Sequence, residues 1–268
     1  MTRRLLLVVL AVTLGLGIAG LGLAAAPPTQ TPGTLRVGLA MPSEGFQVGI
    51  VRGSEVVYAQ GFEIDLARAL ALRMGLGDTV FLQNRFDRLY SAGPKPFDVG
   101  LGEISITPVR RRTVAFSLPY MSVDQGVLAS QTLTPLPRTI GGLRNLRVCA
   151  LAKTTGADLA RTKIAPVKPV LAVGNVPTLM LNLQTGRCDV VVYDAPALGT
   201  LKARAPDRYG PFVGVIATGE QYGISMPKGS PLLGPVNRAL RSLLSDGSID
   251  GLARQWLTFD PAKARVLG

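Results

Sequence analysis

The stretch Leu35-Arg36-Val37-Gly38-Leu39 predicts a short β-strand, and Gly61-Phe62-Glu63-Ile64-Asp65-Leu66-Ala67-Arg68-Ala69-Leu70 predicts a helix, because its apolar residues recur at helical spacing. A loop that carries Gly45 and Gly49 is expected between them. A further strand is expected over Val80–Leu82, after glycines that end the helix. Strand, helix and strand in this order form a βαβ unit, so the fold class is α/β with a largely parallel sheet.

The same order of elements returns in the second half of the chain. Strands are predicted over Leu146–Leu151, Val170–Val173 and Asp189–Asp194, and helices over residues 154–163 and 176–186. Two such sets in a chain of this length indicate two lobes, each able to bury a core of its own.

The N-terminus has the three parts of a secretory signal peptide. Two arginines precede an uncharged stretch, residues 5–26, which ends in three alanines. The alternative is a membrane anchor, because an uncharged stretch of this length can span a bilayer. Residues 1–26 are therefore expected to be a signal peptide and residues 27–33 a proline-containing linker, which makes the mature protein an exported one.

The charge balance is basic, with 29 Lys and Arg against 17 Asp and Glu and a net charge of +12. The cations are scattered apart from Arg110–Arg112, whereas a nucleic-acid-binding surface gathers them on one face. Nucleic acid is therefore not expected as a partner. The chain has no histidine and two cysteines, which are too few for a zinc site, so no metal and no cofactor are expected.

The two cysteines are Cys149 and Cys188. In an exported protein a pair of cysteines is more often bridged than free. If the strands of the second lobe lie in the order 2-1-3, the strand that contains Cys149 neighbours the strand that follows Cys188, and a bridge is sterically reachable. We expect a disulfide; two buried free thiols are the alternative.

Polar side chains follow the predicted strands at the sheet edge where ligands of parallel α/β proteins bind. Glu103, Ser105 and Arg110 follow a strand expected over Phe97–Leu101, Thr154 and Thr155 follow the second lobe's first strand, and Asp194 ends its third. A guanidinium can hold both oxygens of a carboxylate, and a carboxylate suits an ammonium. Arg110 and Asp194 therefore predict a zwitterion site, although such residues at strand ends are equally typical of caps and turns.

Several longer stretches occur in a specific order and spacing: Gly61–Leu66, Phe97–Val99 running into Ile104–Arg110, Phe116–Tyr120, Thr154–Gly156 and Gln221–Gly229. With these stretches the chain resembles the amino-acid-binding branch of the solute-binding proteins of bacterial ABC transporters, solute-binding family 3. The resemblance extends from Leu35 to Trp256.

The resemblance implies a two-lobed Venus-flytrap fold, each lobe a mainly parallel sheet flanked by helices. Residues 34–121 and 223–268 would form lobe 1 and residues 122–222 lobe 2, with hinge crossings near Tyr120–Asp124 and Thr218–Tyr222. The lobes of such proteins close on the ligand and the closed form docks on a membrane permease. The resemblance thus implies a monomeric periplasmic protein that delivers an amino acid or amino-acid-like solute to an ABC transporter permease, and not an enzyme.

The resemblance also assigns roles to individual residues. Arg110 would hold the α-carboxylate of the ligand with the help of Ser105 and Thr155, and Asp194 would hold the α-amine. The other expected ligand-binding residues are Thr154, the backbone of Gly102, and Phe86 as a stacking aromatic, for which core packing is the alternative.

Three positions depart from the family pattern. The first strand usually ends in a polar group that contacts the ligand, but Ala40 and Met41 occupy this end, so the specificity for the ligand side chain is altered. Glu103 stands where a small residue is typical; it either adds a second carboxylate for a cationic ligand or points to solvent. Lys153 replaces a glycine and either extends outward or contacts a ligand anion.

Two other functions use the same scaffold. A periplasmic dehydratase-like enzyme would need a proton carrier, and without histidine that role falls to Glu103 or Asp194. An accessory or sensor protein of the cell envelope would keep the fold without a permease. The presence of both Arg110 and Asp194 favours a protein that binds its ligand.

Overall fold

A computed structural model describes residues 27–268, and the predicted signal peptide, residues 1–26, lies outside the described residues. The strands are β1 (Thr34–Leu39), β2 (Val48–Arg52), β3 (Glu55–Gln60), β4 (Asp78–Gln83), β5 (Val99–Gly100), β6 (Val114–Ala129), β7 (Val148–Leu151), β8 (Leu171–Val173), β9 (Val190–Asp194) and β10 (Phe212–Pro227). The α-helices are α1 (Phe62–Arg73), α2 (Phe86–Tyr90), α3 (Pro108–Arg111), α4 (Thr155–Leu159), α5 (Val176–Gln184), α6 (Ala195–Arg204), α7 (Leu233–Ser245) and α8 (Ser248–Trp256). A π-helical turn, Ala160–Ile164, continues α4.

The strands of the described residues form one sheet in the order β2-β3-β4-β1-β5-β10-β6-β9-β7-β8. β1 pairs in parallel with β4 and β5, and β7 pairs in parallel with β8 and β9. We call the part around the first set lobe 1 and the part around the second set lobe 2. Parallel pairs connected by helices in each set confirm the predicted α/β class and the two-lobed architecture.

The long strands β6 and β10 join the two lobes. β10 pairs with β5 of lobe 1 at Ser225, and β6 pairs with β9 of lobe 2 from Gln125 to Ala129. Between these contacts the two strands pair with each other, with a shift of register just before Glu220. The two segments that cross between the lobes are therefore neighbouring antiparallel strands.

The loop predicted between β1 and α1 contains a β-hairpin, so this prediction was wrong for residues 48–60. β2 and β3 pair in an antiparallel manner about a turn at Gly53, and Gly49 lies within β2. β2 is the edge strand of the sheet, and Ile50 and Val51 are exposed. A strand whose apolar side chains face solvent lacks the buried pattern by which core strands are identified from sequence.

The central strands of both lobes are mostly apolar and mostly buried, as expected for strands covered on both faces. Val37 and Leu39 of β1 and Val190 and Val191 of β9 have no exposed surface. In lobe 2, β7 lies between β8 and β9. This order brings Cys149 and Cys188 together in a disulfide, with their Cα atoms 5.8 Å apart.

The residues after α8 pack on lobe 2, whereas the resemblance implies that residues 223–268 all belong to lobe 1. The N–H of Leu267 donates to the carbonyl of Val215 at 2.7 Å, and the carbonyl of Gly268 accepts from the N–H of Ile140 at 3.0 Å. The ring of Phe259 contacts the ring of Phe212, with 5.3 Å between centroids. Among residues 27–268, none of the helices is long and apolar enough to cross a membrane.

Candidate functional site

A cavity of about 390 Å³ lies between the lobes at the carboxyl ends of β1, β7 and β9 and just beyond β5. Its position agrees with the rule that α/β proteins bind ligands outside the carboxyl ends of parallel strands. The cavity brings together all of the predicted ligand-binding residues, which line it: Phe86, Gly102, Glu103, Ser105, Arg110, Thr154, Thr155 and Asp194.

Arg110 reaches the cavity from the short helix α3, whose start is fixed by Thr107 Oγ1 accepting the Arg110 N–H at 3.1 Å. Arg110 is 6% exposed. Its Nη1 donates to the carbonyl of Ser105 at 2.9 Å and its Nη2 to that of Lys153 at 3.3 Å, while the guanidinium lies 4.4 Å from the Tyr90 ring centroid. No carboxylate of residues 27–268 forms an ion pair with it. The remaining N–H groups can therefore bind an anion.

Asp194 is the last residue of β9 and is 5% exposed. Its Oδ1 accepts from Nε2 of Gln125 at 2.6 Å, and its Oδ2 accepts from the Tyr222 hydroxyl at 2.5 Å. Burial raises the pKa of Asp194 from 3.8 to about 6; the nearby charge of Glu220 adds to the shift, and the bonds from Tyr222 and Gln125 oppose it. A cation that entered the cavity would stabilise the ionised form of this carboxylate.

Glu220, from the second crossing segment, joins hydroxyls of the two lobes. Its Oε2 accepts from Ser105 Oγ at 2.7 Å and from Thr155 Oγ1 at 2.6 Å, and its Oε1 accepts from Gln125 Nε2 at 3.2 Å. A carboxylate only accepts hydrogen bonds, so both hydroxyls donate their hydrogen to Glu220. Towards the cavity, Ser105 and Thr155 therefore present lone pairs.

Gln125 connects the carboxylates of Asp194 and Glu220, and its position explains why residue 156 is a glycine. Its Nε2 donates to Asp194 and Glu220. A Cβ on Gly156 would lie 2.4 Å from Oε1 of Gln125, so the glycine of the Thr-Thr-Gly stretch allows the amide to approach α4.

Glu103 is 5% exposed, lines the cavity and has a left-handed φ of +55°. Its N–H donates to Oε1 of Glu63 at 2.8 Å. Glu63 is fully buried and also accepts from Tyr120 and Gln47. Burial, followed by the charges of Glu63 and Asp194, holds the pKa of Glu103 well above its usual range, and burial also raises the pKa of Glu63.

Two of the predicted ligand-binding residues, Thr154 and Gly102, have structural roles. Thr154 begins α4: its Oγ1 accepts the Ala157 N–H at 3.1 Å and donates to the Leu151 carbonyl at 2.6 Å, so the hydroxyl is already used. A Cβ on Gly102 would lie 2.6 Å from Cδ1 of Leu89, so Gly102 can line the cavity only with its backbone.

Lys153 bridges the outer side of the cavity. Its Nζ lies 2.5 Å from Oδ2 of Asp87, and its carbonyl accepts from the Tyr90 hydroxyl at 3.0 Å. Of its two expected orientations, outward or towards a ligand anion, Lys153 thus adopts the outward one, in which it pairs with Asp87 of lobe 1. Phe86 lies edge-on to Tyr90 and 5.2 Å from the Arg110 guanidinium. These contacts hold the two lobes together in a closed arrangement.

Glu63, Gln125, Glu220 and Tyr222 contribute to the site but were missed from sequence. Glu63 carried a signal, because it stands on the buried face of α1 beside Phe62, where an acidic residue needs hydrogen-bond partners. Gln125 and Glu220 gave no such signal in the sequence. Their contacts form only where the two crossing segments meet both lobes.

The family model for bacterial extracellular solute-binding proteins, family 3, matches residues 51–259. This range includes both crossing segments and most of the residues that line the cavity.

Individual amino-acid-binding proteins are similar to this chain over most of its length. The lysine/arginine/ornithine-binding periplasmic protein of Escherichia coli (strain K12) is 28% identical over 253 residues, 91% of this chain and 95% of that protein. The ABC transporter glutamine-binding protein GlnH of Bacillus subtilis (strain 168) is 28% identical over 215 residues, 76% of this chain and 75% of that protein. A crystal structure of a mutant of ArgBP from T. maritima superposes with a TM-score of 0.72 and 31% identity, covering 84% of this chain and 95% of that chain.

Proposed function

The chain belongs to family 3 of the bacterial extracellular solute-binding proteins, and from this premise we propose that it binds an amino acid or amino-acid-like solute outside the cytoplasm and delivers it to an ABC transporter permease. The relatives described above are named for binding lysine, arginine, ornithine or glutamine. These solutes share an α-carboxylate and an α-ammonium, which are the groups that the cavity is suited to bind.

One observation carries the proposal: Arg110 and Asp194 line the same cavity from opposite lobes. Arg110 has donors left over from its two carbonyl contacts, and it receives the α-carboxylate. Asp194 receives the α-ammonium. The resemblance implies that Ser105 and Thr155 assist Arg110 with the α-carboxylate. Because their hydroxyls give their hydrogens to Glu220, we instead assign their oxygens to the ammonium end.

A ligand held in this way bridges the lobes and stabilises the closed form. The ligand adds to the contacts that already cross the cleft between Lys153 and lobe 1. Only a ligand with differential affinity for the closed form can shift the equilibrium towards it. The closed form is then the one that docks on the permease and releases the solute for transport.

Binding rather than turnover is proposed for this site. A dehydratase-like reaction needs an acid that can give up its proton to the substrate, and Glu103 is the residue whose raised pKa suits that role. The opposing observation is that Asp194 is fixed by two hydrogen bonds and suits an ammonium, so it is not free to act as the matching base.

Isothermal titration calorimetry of the purified protein against the proteinogenic amino acids and the common polyamines tests the proposal. We expect at least one amino acid to bind with a Kd of about 1 µM or tighter. Absence of binding across the amino acids would overturn the proposed function. Analysis of the mixture by mass spectrometry after prolonged incubation separates binding from catalysis, since a binding protein returns its ligand unchanged.

A further inference from the structure

Acidic side chains are concentrated around the inner side of the cavity. Glu63, Glu103 and Asp194 are each at most 5% exposed, and Glu220 lies beside them on the second crossing segment. None of these carboxylates forms an ion pair with a lysine or arginine of residues 27–268. Buried charges of one sign are costly unless a cation or strong hydrogen bonds compensate them.

Hydrogen bonds compensate three of the four groups. Asp194 accepts from Gln125 and Tyr222, and Glu220 accepts from the hydroxyls of both lobes. Glu63 accepts from Tyr120, Gln47 and the N–H of Glu103. These three carboxylates therefore have partners within the protein itself.

Glu103 differs from the other three. Within residues 27–268, the donors next to its carboxylate are two hydroxyls: that of Tyr193, at the long distance of 3.5 Å, and the buried one of Ser43. The side chain is almost completely shielded from bulk solvent, yet it lines the cavity. Its carboxylate is consequently left with unused acceptor capacity that faces the space where the ligand binds.

The position of Glu103 is imposed by its neighbours. Its N–H is held by Glu63, and Gly102 before it is packed against Leu89. The φ of +55° is unfavourable for a residue with a Cβ, and the surrounding contacts maintain it. The side chain is therefore presented to the cavity by a fixed backbone.

A bound metal ion and a shared proton both fit the geometry around Glu103 less well than a cationic ligand group does. Residues 27–268 contain no cluster of three acidic, histidine or cysteine side chains arranged to hold a metal ion. A proton shared directly between Glu103 and Glu63 would need a bond between their carboxyl groups, but the oxygens of Glu63 are occupied by Tyr120, Gln47 and the Glu103 N–H. Of the three candidates, a cationic group of the ligand remains as the partner of the Glu103 carboxylate.

We infer that Glu103 is a specificity-determining residue that binds a second cationic group of the ligand, so the site prefers amino acids with an amine or guanidinium in the side chain. This inference rests on the proposed function, in which Asp194 takes the α-ammonium and Arg110 the α-carboxylate. The apolar end of β1, at Ala40 and Met41, supplies no carboxylate to the cavity, and Glu103 on the loop after β5 does. The charge of Glu63 and Asp194, which helps to raise the pKa of Glu103, is relieved when a cation enters.

The test compares lysine with norleucine, which has the same carbon chain without the terminal amine. Calorimetry on the wild-type protein should show lysine binding about 10- to 100-fold more tightly, the usual range for a hydrogen-bonded ion pair in a desolvated site. Glu103→Gln, which keeps the shape and removes the charge, should abolish most of this preference and leave norleucine binding within about threefold of wild type. Glu55→Gln, at an exposed glutamate of β3, is the matched control and should leave both affinities unchanged.

The outcomes separate this inference from the function on which it rests. Equal losses for lysine and norleucine in Glu103→Gln would overturn it, because Glu103 would then act on the shared α-ammonium or on packing. Binding of neutral amino acids with no preference for lysine or arginine would also overturn it and leave the proposed function intact. No binding of any amino acid would overturn both. If Glu103→Gln does not fold, Glu103→Gly, which suits the left-handed backbone, is measured instead with the same expectations.

Discussion

The Glu220 carboxylate accepts the hydroxyl hydrogen of Ser105, with 2.7 Å between Oε2 and Oγ. The same oxygen accepts from Thr155 across the cleft at 2.6 Å. A single side chain on a crossing segment thus contacts lobe 1 and lobe 2 simultaneously, so its charge helps to set how readily the lobes separate.

We expect Glu220→Ala to favour the open form of the ligand-free protein. The variant removes two charge-assisted hydrogen bonds by which one carboxylate links lobe 1 to lobe 2 in this closed arrangement. Small-angle X-ray scattering should show a larger radius of gyration than for wild type, and ligand affinity should fall about 10-fold because closure becomes more costly. Glu55→Ala, at an exposed glutamate of β3 in lobe 1, is the control and should change neither quantity. An unchanged scattering curve for Glu220→Ala would contradict this role.

Arg110→Ala should weaken the binding of any amino acid by about 100-fold, since a buried charge-assisted contact with the α-carboxylate is lost. Arg110→Lys should recover part of the loss, because it restores the charge but not the planar pair of donors. Arg111→Ala removes the neighbouring exposed arginine and serves as the control. Calorimetry measures all three, and thermal unfolding checks that each variant is folded. Wild-type affinity in Arg110→Ala would exclude this arginine from the site.

The Cys149–Cys188 disulfide should stabilise lobe 2. It closes a loop with a sequence separation of 39 residues, which corresponds to about 4 kcal/mol in the chain-entropy description. We expect the double variant Cys149→Ala with Cys188→Ala to unfold at a lower temperature than wild type, and reductant to affect the wild type but not the variant. Mass spectrometry under non-reducing conditions should find no free thiol. Detection of two free thiols in the exported protein would show that the bridge does not form.

Much of the fold was predictable because it depends on local patterns. The helical spacing of Phe62, Leu66 and Leu70 and the apolar run of β9 are visible in any short window of the sequence. The β2–β3 hairpin was not predicted, because Ile50 and Val51 at the sheet edge are exposed and so do not follow the pattern of a core strand.

The candidate site was predictable to the extent that its residues stand at strand ends. Arg110 and Asp194 follow β5 and end β9, and the topology of parallel strands brings such residues to one edge. Glu63 and Glu220 could not be placed in this way. Their roles depend on hydrogen bonds between segments far apart in sequence, such as Tyr120 to Glu63, and no local pattern encodes them.

Stability and binding should oppose each other at Asp194. Its pKa in the folded protein is about 6, against an ordinary value of 3.8, so the folded state holds the proton more tightly than the unfolded chain does. The free energy of unfolding therefore falls by roughly 3 kcal/mol, for this group alone, as pH rises from about 4 to about 6. Above that range the contribution of Asp194 is constant. The ionised form that costs this stability is the one that binds an ammonium.

We therefore expect Asp194→Asn to make the ligand-free protein more stable at pH 7, by about 1–3 kcal/mol, and to abolish amino-acid binding. The gain should disappear near pH 4, because Asp194 is then neutral in wild type as well. In wild type, ligand affinity should fall by about 10-fold per pH unit below 6, as protonation of Asp194 competes with the α-ammonium. Urea unfolding and calorimetry over this pH range measure both effects, with Asp158→Asn on the exposed side of α4 as the control. A destabilised Asp194→Asn at pH 7 would mean that the hydrogen bonds from Gln125 and Tyr222 outweigh the cost of burying the charge.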